Sequence, residues 1–463
     1  MAVIGLTLLL LKSVKNLKTK QLKILLAAII LGLGLLTRFA YFGHPKQAVL
    51  DEVYFGKFVN AYFTHEYFFD IHPPLGKLLI AGFAAPLGYQ PTSNFDSIGA
   101  EYADNNYQIL RFLPTLAGAI LPLIIFLLAL QLGLSPITAF LAGLMTVFDN
   151  GLATQSRFIL IDSFLLLFGF ASLACYIKSQ AKGGNMYWML GAAMLAGAAV
   201  SIKWTGLTFL ALIIGYEIYS LKKGTIKYQP TLRLAALFVL PIIIYFTTFT
   251  IHFSLLNKSG SGDDFMSANF QKSLDGNRHQ TADGLGTINI LGKFHELNYQ
   301  MYASNQRITA DHPYASKWHS WPFMIRPMAY WTGAQNASIY FFGNPILWWG
   351  TTIAVAAAVL LYIAKRKWRA KKFFGFLLIG YFANLLPFIV IGRVMFIYHY
   401  MTALVFAMLI TAYIIDQLDN KWPVAIAVGS LTVISFIFFM PFTYGLPLST
   451  TTLPWRIWLP SWR

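Results

Sequence analysis

The densest group of chemistry-bearing side chains lies in two short stretches: the adjacent carboxylates Asp51 and Glu52, and the segment Asp70-Ile71-His72-Pro73-Pro74-Leu75-Gly76-Lys77. A carboxylate positioned against a substrate hydroxyl is a general base. The same pair at the start of a helix is also an ordinary cap, with Asp51 accepting backbone donors and Glu52 favoured by the helix dipole. Neighbouring helical residues point about 100° apart, so at most one of the two acids can face a given reacting atom. The second segment packs an acid, an imidazole, a rigid turn and a cation together. It reads either as a kink between helices or as a device that fixes polar groups beside Asp51. Arg111, Arg157, Lys203, Arg326 and Arg393 sit near the ends of apolar runs. There they either snorkel to headgroups or clamp an anion. Asp149 and Asp162 flank Arg157 and read as its neutralising partners.

The elements that position these groups follow from composition. The chain is 57% hydrophobic and 11% charged, which leaves too little polar surface for a soluble fold. Its 35 Lys plus Arg against 18 Asp plus Glu give a net charge of +17. In a soluble chain that excess would point to nucleic acid; here the basic residues lie in short loops between apolar runs and report topology. The single Cys175 excludes a disulfide within the chain and reads as a packing residue.

Apolar stretches approaching a span of about 20 residues run near 24–42, 112–132, 136–150, 158–177, 186–201, 204–221, 232–253, 338–364, 373–392, 396–415 and 422–443. Lys12, Lys15, Lys18, Lys20 and Lys23 precede the first and place residues 1–23 in the cytoplasm. The same parity puts Lys178 and Lys182, then Lys222, Lys223, Lys227 and Arg233, then the cluster 365–372, on the cytoplasmic side. Residues 43–111, 254–337 and the tail 444–463 fall outside, and the chain reads as a single domain over 1–463. Residues 1–11 are apolar but short, with the basic stretch behind them, so they read as no cleaved signal.

Within 43–111, Val53, Phe55, Phe58, Val59, Tyr62 and Phe63 form an apolar stripe at helical spacing, predicting an interfacial helix that His72-Pro73-Pro74 stops. A second short helix is expected from Leu75 to Phe83. The aromatic end of 254–337 carries Trp318, His319 and Trp321, which could stack on a sugar or peptide. Trp331, Trp348 and Trp349 read as an interfacial belt. No Walker A loop, dinucleotide-binding glycine motif or zinc spacing is present.

Leu50-Asp51-Glu52-Val53-Tyr54-Phe55-Gly56, followed by Phe68-Phe69-Asp70-Ile71-His72-Pro73-Pro74-Leu75-Gly76-Lys77-Leu78-Leu79, resembles the protein O-mannosyltransferase family. Further matching blocks are Arg111-Phe112-Leu113-Pro114, Phe148-Asp149-Asn150, Gln155 to Ser163, Ser201 to Leu207, Trp318 to Tyr330, Gly343-Asn344-Pro345 and Phe396 to Tyr400. The resemblance covers roughly residues 35 to 445. It implies an all-α integral membrane protein, a GT-C-like bundle of about eleven transmembrane helices with interfacial helices in the first outer loop. It also implies transfer of mannose from polyprenyl-phosphate-mannose to serine or threonine of secreted or membrane proteins, with inversion, at the extracytoplasmic face of the cell membrane. Eukaryotic members carry a β-trefoil MIR domain in the large outer loop. The interval 254–337 is too short for one, so the chain resembles a prokaryotic member.

In the family the acid matching Asp51 is the candidate base, with Glu52 as its neighbour, and the arginine matching Arg111 is important for activity. A phosphate leaving group needs no acid to protonate it, so cations take that place. Arg111, Lys77, Lys203 and Arg393 are the candidates for holding the phosphate. Asp70, His72, Pro73, Trp318, His319 and Trp321 are expected to serve the acceptor or the structure. No metal ligand set and no cofactor is expected, the lipid-linked sugar being a substrate. The rival readings are a transferase of another lipid-linked sugar or to a lipid acceptor, and a lipid or solute transporter.

Overall fold

A computed structural model describes residues 19–180, 185–225, 229–286, 288–308, 311–369 and 371–462. The apolar run 1–11 and the topology lysines Lys12, Lys15, Lys18, Lys182 and Lys227 lie outside the described residues, as do the side chains of Arg366 and Arg369. The first helix, α1, is Thr19–Phe39. Two short helices follow in the loop after it, α2 (Glu52–Thr64) and α3 (Leu75–Ala84). Then come α4 (Tyr107–Gln131), α5 (Pro136–Val147), α6 (Asn150–Ser156), α7 (Asp162–Ser179), α8 (Met186–Ile202), α9 (Leu207–Lys222) and α10 (Pro230–Leu255). A long connection holds α11 (Ile290–Arg307) and an antiparallel hairpin, β1 (Met328–Thr332) with β2 (Ser338–Phe341). The chain closes with α12 (Pro345–Ala364), α13 (Phe374–Ala383), α14 (Met401–Asp416) and α15 (Lys421–Tyr444).

Among the described residues, eight helices are long and apolar enough to cross a membrane, or nine if the pair α5 and α6, bent by 58°, is one span. Two shorter apolar segments also run between the ends of the bundle. The α8 helix starts beside the end of α7, where Asn185 N donates to Ser179 O at 3.3 Å. It finishes at Lys203, which pairs with Asp162 at the opposite end of α7. The α13 segment runs from Lys371, bonded to Gln417, to Phe388, packed on His399. With these two the expected count of about eleven is reached.

The loops sort to two ends. At one, Gln47 bridges Glu101, Leu50 N donates to Tyr330 O at 3.1 Å, Leu448 N donates to Gln335 O at 3.1 Å, and Trp462 Nε1 donates to Met324 O at 2.8 Å. The connections 43–111 and 254–337 and the tail therefore share one end, as charge parity requires. At the other, Ser135 N donates to Asp416 Oδ1 at 3.1 Å and Tyr216 OH to Lys372 O at 3.4 Å.

Several boundaries differ from the sequence reading. The α2 helix stops at His65, whose left-handed conformation (φ 66°) ends it well before His72-Pro73-Pro74. Pro74 instead occupies the cap position of α3. Residues 338–341 are strand rather than span, because the aromatic pattern of the hairpin is as apolar as a helix. Trp348 is buried and donates to Asp149 Oδ2 at 2.8 Å, and Trp331 donates to Gln47 Oε1 at 2.6 Å, so neither belongs to an interfacial belt. Arg233 is no loop charge. It is fully buried against Glu217, with Nε to Oε1 at 2.6 Å, and Tyr176 and Gln180 also donate to that carboxylate.

Removing one partner of a buried, hydrogen-bonded pair leaves an uncompensated charge. Glu217→Ala should therefore lose about 3–5 kcal/mol of stability. A double variant Glu217→Ala, Arg233→Leu should recover most of it. Thermal melts of the detergent-solubilised proteins read both.

Candidate active site

The local sequence builds a tight corner around Asp51. Asp51 occupies the cap position of α2 with φ −69° and ψ 0°, yet its side chain makes no cap hydrogen bond. Glu52 turns the other way and is fully buried. Its Oε2 accepts from Val49 N at 2.9 Å and Tyr102 OH at 3.3 Å, and its Oε1 accepts from Ile159 N at 2.9 Å. Arg111, inside the first turns of α4, grips both oxygens, Nε to Oε1 at 2.8 Å and Nη2 to Oε2 at 2.7 Å. The divergence of adjacent helical residues is thus realised: one acid is locked inward and the other left without a backbone partner.

Glycines allow the close approaches. A Cβ on Gly56 would stand 2.3 Å from the Phe95 ring, which packs on Tyr102, and one on Gly76 would stand 2.7 Å from Ile161. These contacts press α2 against the 92–102 loop and α3 against the turn before α7.

The candidate cations divide into two groups. Arg111 is saturated: beyond Glu52 it donates to Gly43 O, Pro45 O and Gln47 O at 2.9–3.1 Å, and its guanidinium lies over the rings of Tyr107 and Phe158 at 4.8 and 5.0 Å. Lys77 is buried and engages Asp70, His72 O (3.0 Å) and Pro73 O (3.2 Å). With its three donors committed, Lys77, like Arg111, has none left for a phosphate. The expectation that these two clamp the donor does not fit this geometry. Asp70 is a lysine partner, and Pro73 contributes its carbonyl.

Lys203 and Arg393 are different. Lys203 pairs with Asp162 at 2.7 Å and lines a cavity of about 280 Å³ together with Trp204, Phe388, Tyr398 and His399. Arg393 bonds Asn305 Oδ1 at 2.5 Å and lies 3.2 Å from His399 Nε2. Trp321 is buried and stacks on the His399 ring at 5.8 Å, whereas Trp318 and His319 line a separate, wider cleft. Asp149 and Asp162 do not neutralise Arg157. Asp149 caps α6 and holds Asn344 N and Trp348, while Arg157 donates to Ala40 O, Tyr41 O and Thr443 O.

Several residues join the site that sequence reasoning did not select. Asp162 accepts from Lys203 on Oδ1 and from Gln155 Nε2 on Oδ2 at 2.9 Å, and Gln155 accepts in turn from Tyr330 OH. Tyr398 and His399 stack at 4.6 Å. All lie in blocks that carry the family resemblance, which was the available signal; the long separation in sequence hid their meeting. Burial pushes the Asp51 carboxyl up to about 6; Lys203 pulls it back, and Asp162 and Asp70 push it further up. Burial and the surrounding Lys203, Lys77, Arg393 and His399 hold His72 well below its ordinary range, hence neutral. Among the described residues no group of three or more His, Cys, Asp or Glu could hold a metal ion. The arrangement is an uncapped carboxylate of raised pKa within the field of a lysine that lines a mainly apolar cavity.

Two family models match the chain. "Dolichyl-phosphate-mannose-protein mannosyltransferase" covers residues 28–257, and "C-terminal four TMM region of protein-O-mannosyltransferase" covers residues 290–462. Protein O-mannosyltransferase 1 of Drosophila melanogaster is 36% identical over 256 residues, 52% of this chain and 29% of that protein. Protein O-mannosyl-transferase 2 of Danio rerio is 31% identical over 315 residues, 65% of this chain and 40% of that one. The chain thus aligns with less than half the length of these curated relatives. The protein O-mannosyltransferase Pmt1-Pmt2 complex of S. cerevisiae, bound to the sugar donor, shares the fold: TM-score 0.88, 19% identity, 97% of this chain and 93% of that chain covered. Its all-α, GT-C-like membrane bundle is the architecture described above. With the first model enclosing Asp51, Arg111 and Lys203 and the second enclosing Arg393 and His399, the chain belongs to the protein O-mannosyltransferase family.

Proposed function

We propose that this chain is a membrane glycosyltransferase that moves mannose from polyprenyl-phosphate-mannose to serine or threonine hydroxyls of secreted or membrane proteins. The observation that carries the reading is Asp51: a carboxylate at a helix cap position that makes no cap bond and feels the charge of Lys203, which itself lines a mainly apolar cavity. The cavity's Leu165, Leu166 and Met401 suit the start of an isoprenoid chain, and Lys203 suits its phosphate. Arg393, on the far side of His399, adds positive charge behind that position.

Asp51 takes the proton of the attacking hydroxyl as oxygen bonds to the anomeric carbon. The bond to phosphate breaks with its electron pair on the phosphate oxygen, which Lys203 stabilises. Lys203 and Gln155 each hold one oxygen of Asp162, which fixes that acid as the partner of the lysine. With Asp51 as base, the reaction is a direct displacement with inversion, without a glycosyl-enzyme intermediate. Glu52 acts by holding Asp51 in place through Arg111. The lysine-rich N-terminal stretch puts the opposite end of the bundle in the cytoplasm, so the reaction belongs to the extracytoplasmic face.

Membranes containing the chain, supplied with labelled polyprenyl-phosphate-mannose and a serine-rich peptide, should give labelled peptide. Label moved only from another sugar donor, or only to lipid, would favour the wider transferase reading instead. Asp51→Asn should cut turnover roughly 10²–10⁴-fold while donor binding persists. The same change should raise stability near neutral pH. A carboxyl whose folded pKa exceeds its ordinary 3.8 stabilises the fold below that value and withdraws the stabilisation as pH rises through about 6. After allowance for its exposed edge the gain is about 1–2 kcal/mol, readable as a higher melting temperature.

The pH profile of kcat/KM should fall on the acid side with a midpoint near pH 6, since protonated Asp51 accepts no proton. A flat profile down to pH 5 would remove Asp51 as the base. The two cation classes should separate in one comparison. Lys203→Met should weaken donor affinity and also lower the melting temperature, since it leaves the largely buried Asp162 without its partner, whereas Lys203→Met combined with Asp162→Asn should regain stability without regaining affinity. Arg111→Lys, which cannot reproduce the bidentate grip, should lower the melting temperature and lose turnover with it.

A further inference from the structure

Two cavities meet at one wall. The inner one, of about 280 Å³, holds Lys203 and Asp162. The outer one is an open cleft of about 1080 Å³ lined by His312, Lys317, His319 and Arg393. Phe388 and Ile391 line both. The wall is aromatic: the Phe388 ring meets Trp321 edge-on at 5.0 Å and His399 edge-on at 5.4 Å. Trp321 lies stacked on His399 behind it, and both Phe388 and Trp321 are buried. Polar groups of the outer cleft come up to this wall, since Arg393 lies within 3.2 Å of His399. The same segment turns Leu386 and Val390 outward, the latter 86% exposed, so that side of it is apolar, while Phe388 and Ile391 stand between the two compartments.

A base that activates a serine hydroxyl activates water equally well, and water is present in great excess. Attack by water forms a bond from its oxygen to the anomeric carbon and breaks the bond to phosphate. The electron pair leaves with the phosphate, the proton goes to Asp51, and the products are free sugar and polyprenyl phosphate. An active site handling such a donor must keep bulk solvent from the reacting carbon. The open cleft, lined by charged and imidazole side chains, is a solvent reservoir beside the inner cavity, and Phe388 stands between them.

We infer that Phe388, with Ile391, is a solvent barrier that sets the ratio of transfer to protein against hydrolysis of the donor. The inference rests on the reading that the inner cavity takes the lipid-linked sugar. Removing the barrier opens a water path without touching the base or the phosphate partner, so hydrolysis rises while the protein reaction persists.

The test measures labelled peptide and free labelled mannose together, from polyprenyl-phosphate-mannose and a serine-rich peptide. Variants Phe388→Ala, Ile391→Ala and Phe388→Leu are compared with the unaltered chain in proteoliposomes. Phe388→Ala and Ile391→Ala should raise the ratio of free sugar to labelled peptide roughly tenfold, and Phe388→Leu, which keeps most of the volume, should stay near the unaltered ratio. Ile391 is partly exposed and no pillar of the core, so its variant keeps the test alive if Phe388→Ala does not fold. An unchanged ratio in folded, active Phe388→Ala or Ile391→Ala overturns the barrier. An unaltered chain that consumes no donor overturns the transferase reading and the barrier with it.

Discussion

The bidentate pair between Glu52 and Arg111 is the constraint on which the site depends. Both side chains are completely buried, and every acceptor and donor between them is engaged. A buried ion pair is weak evidence of stability, because desolvation offsets most of the attraction. What this pair supplies is position. It fixes the first turn of α2 against α4, and the residue before it is then obliged to face the other way. Asp51 keeps a carboxylate in a place where burial disfavours charge because its neighbour has absorbed the local backbone donors.

The same logic explains why so many basic residues gather at one end of the bundle. Arg157 takes the carbonyls of Ala40 and Tyr41, and Arg111 takes those of Gly43, Pro45 and Gln47. The chain leaving α1 is irregular there, so its carbonyls lack helical partners, and low-dielectric surroundings make an unpartnered carbonyl costly. Two guanidinium groups, planar and rich in donors, satisfy five of them. Part of the charge excess on this face is internal fastening, and of the four cations expected to hold a phosphate, Lys203 and Arg393 are the ones not consumed by it.

Much of the architecture was legible because membrane spans announce themselves by length and apolarity. The expected helix from Leu75 to Phe83 appears as Leu75–Ala84, whereas the helix opened by Asp51 and Glu52 ends at Thr64, short of the His72-Pro73-Pro74 stop read for it. Where the reading failed, a physical ambiguity was responsible. An apolar β hairpin at 328–341 and the start of a span are indistinguishable by hydropathy, so 338–344 was assigned to α12. The site was legible in part. Asp51 stood out by type and place, but spacing could not distinguish a phosphate-binding arginine from one that ties down carbonyls; Arg111 and Lys203 look alike in sequence. Nor could local pattern bring Asp162, Tyr330 and His399 together, since their meeting depends on how α7, the hairpin and α14 converge.

Glu52 draws its partners from widely separated stretches: Val49 before it, Tyr102 in the loop, Arg111 in the second span and Ile159 just ahead of α7. A ribosome delivers these in sequence. Until the chain has been threaded past residue 159, the acid beside Glu52 has no fixed address, and a nascent fragment ending earlier carries the motif without the geometry. Competence is thereby tied to biogenesis: the corner closes only when several spans have been laid down side by side in the bilayer.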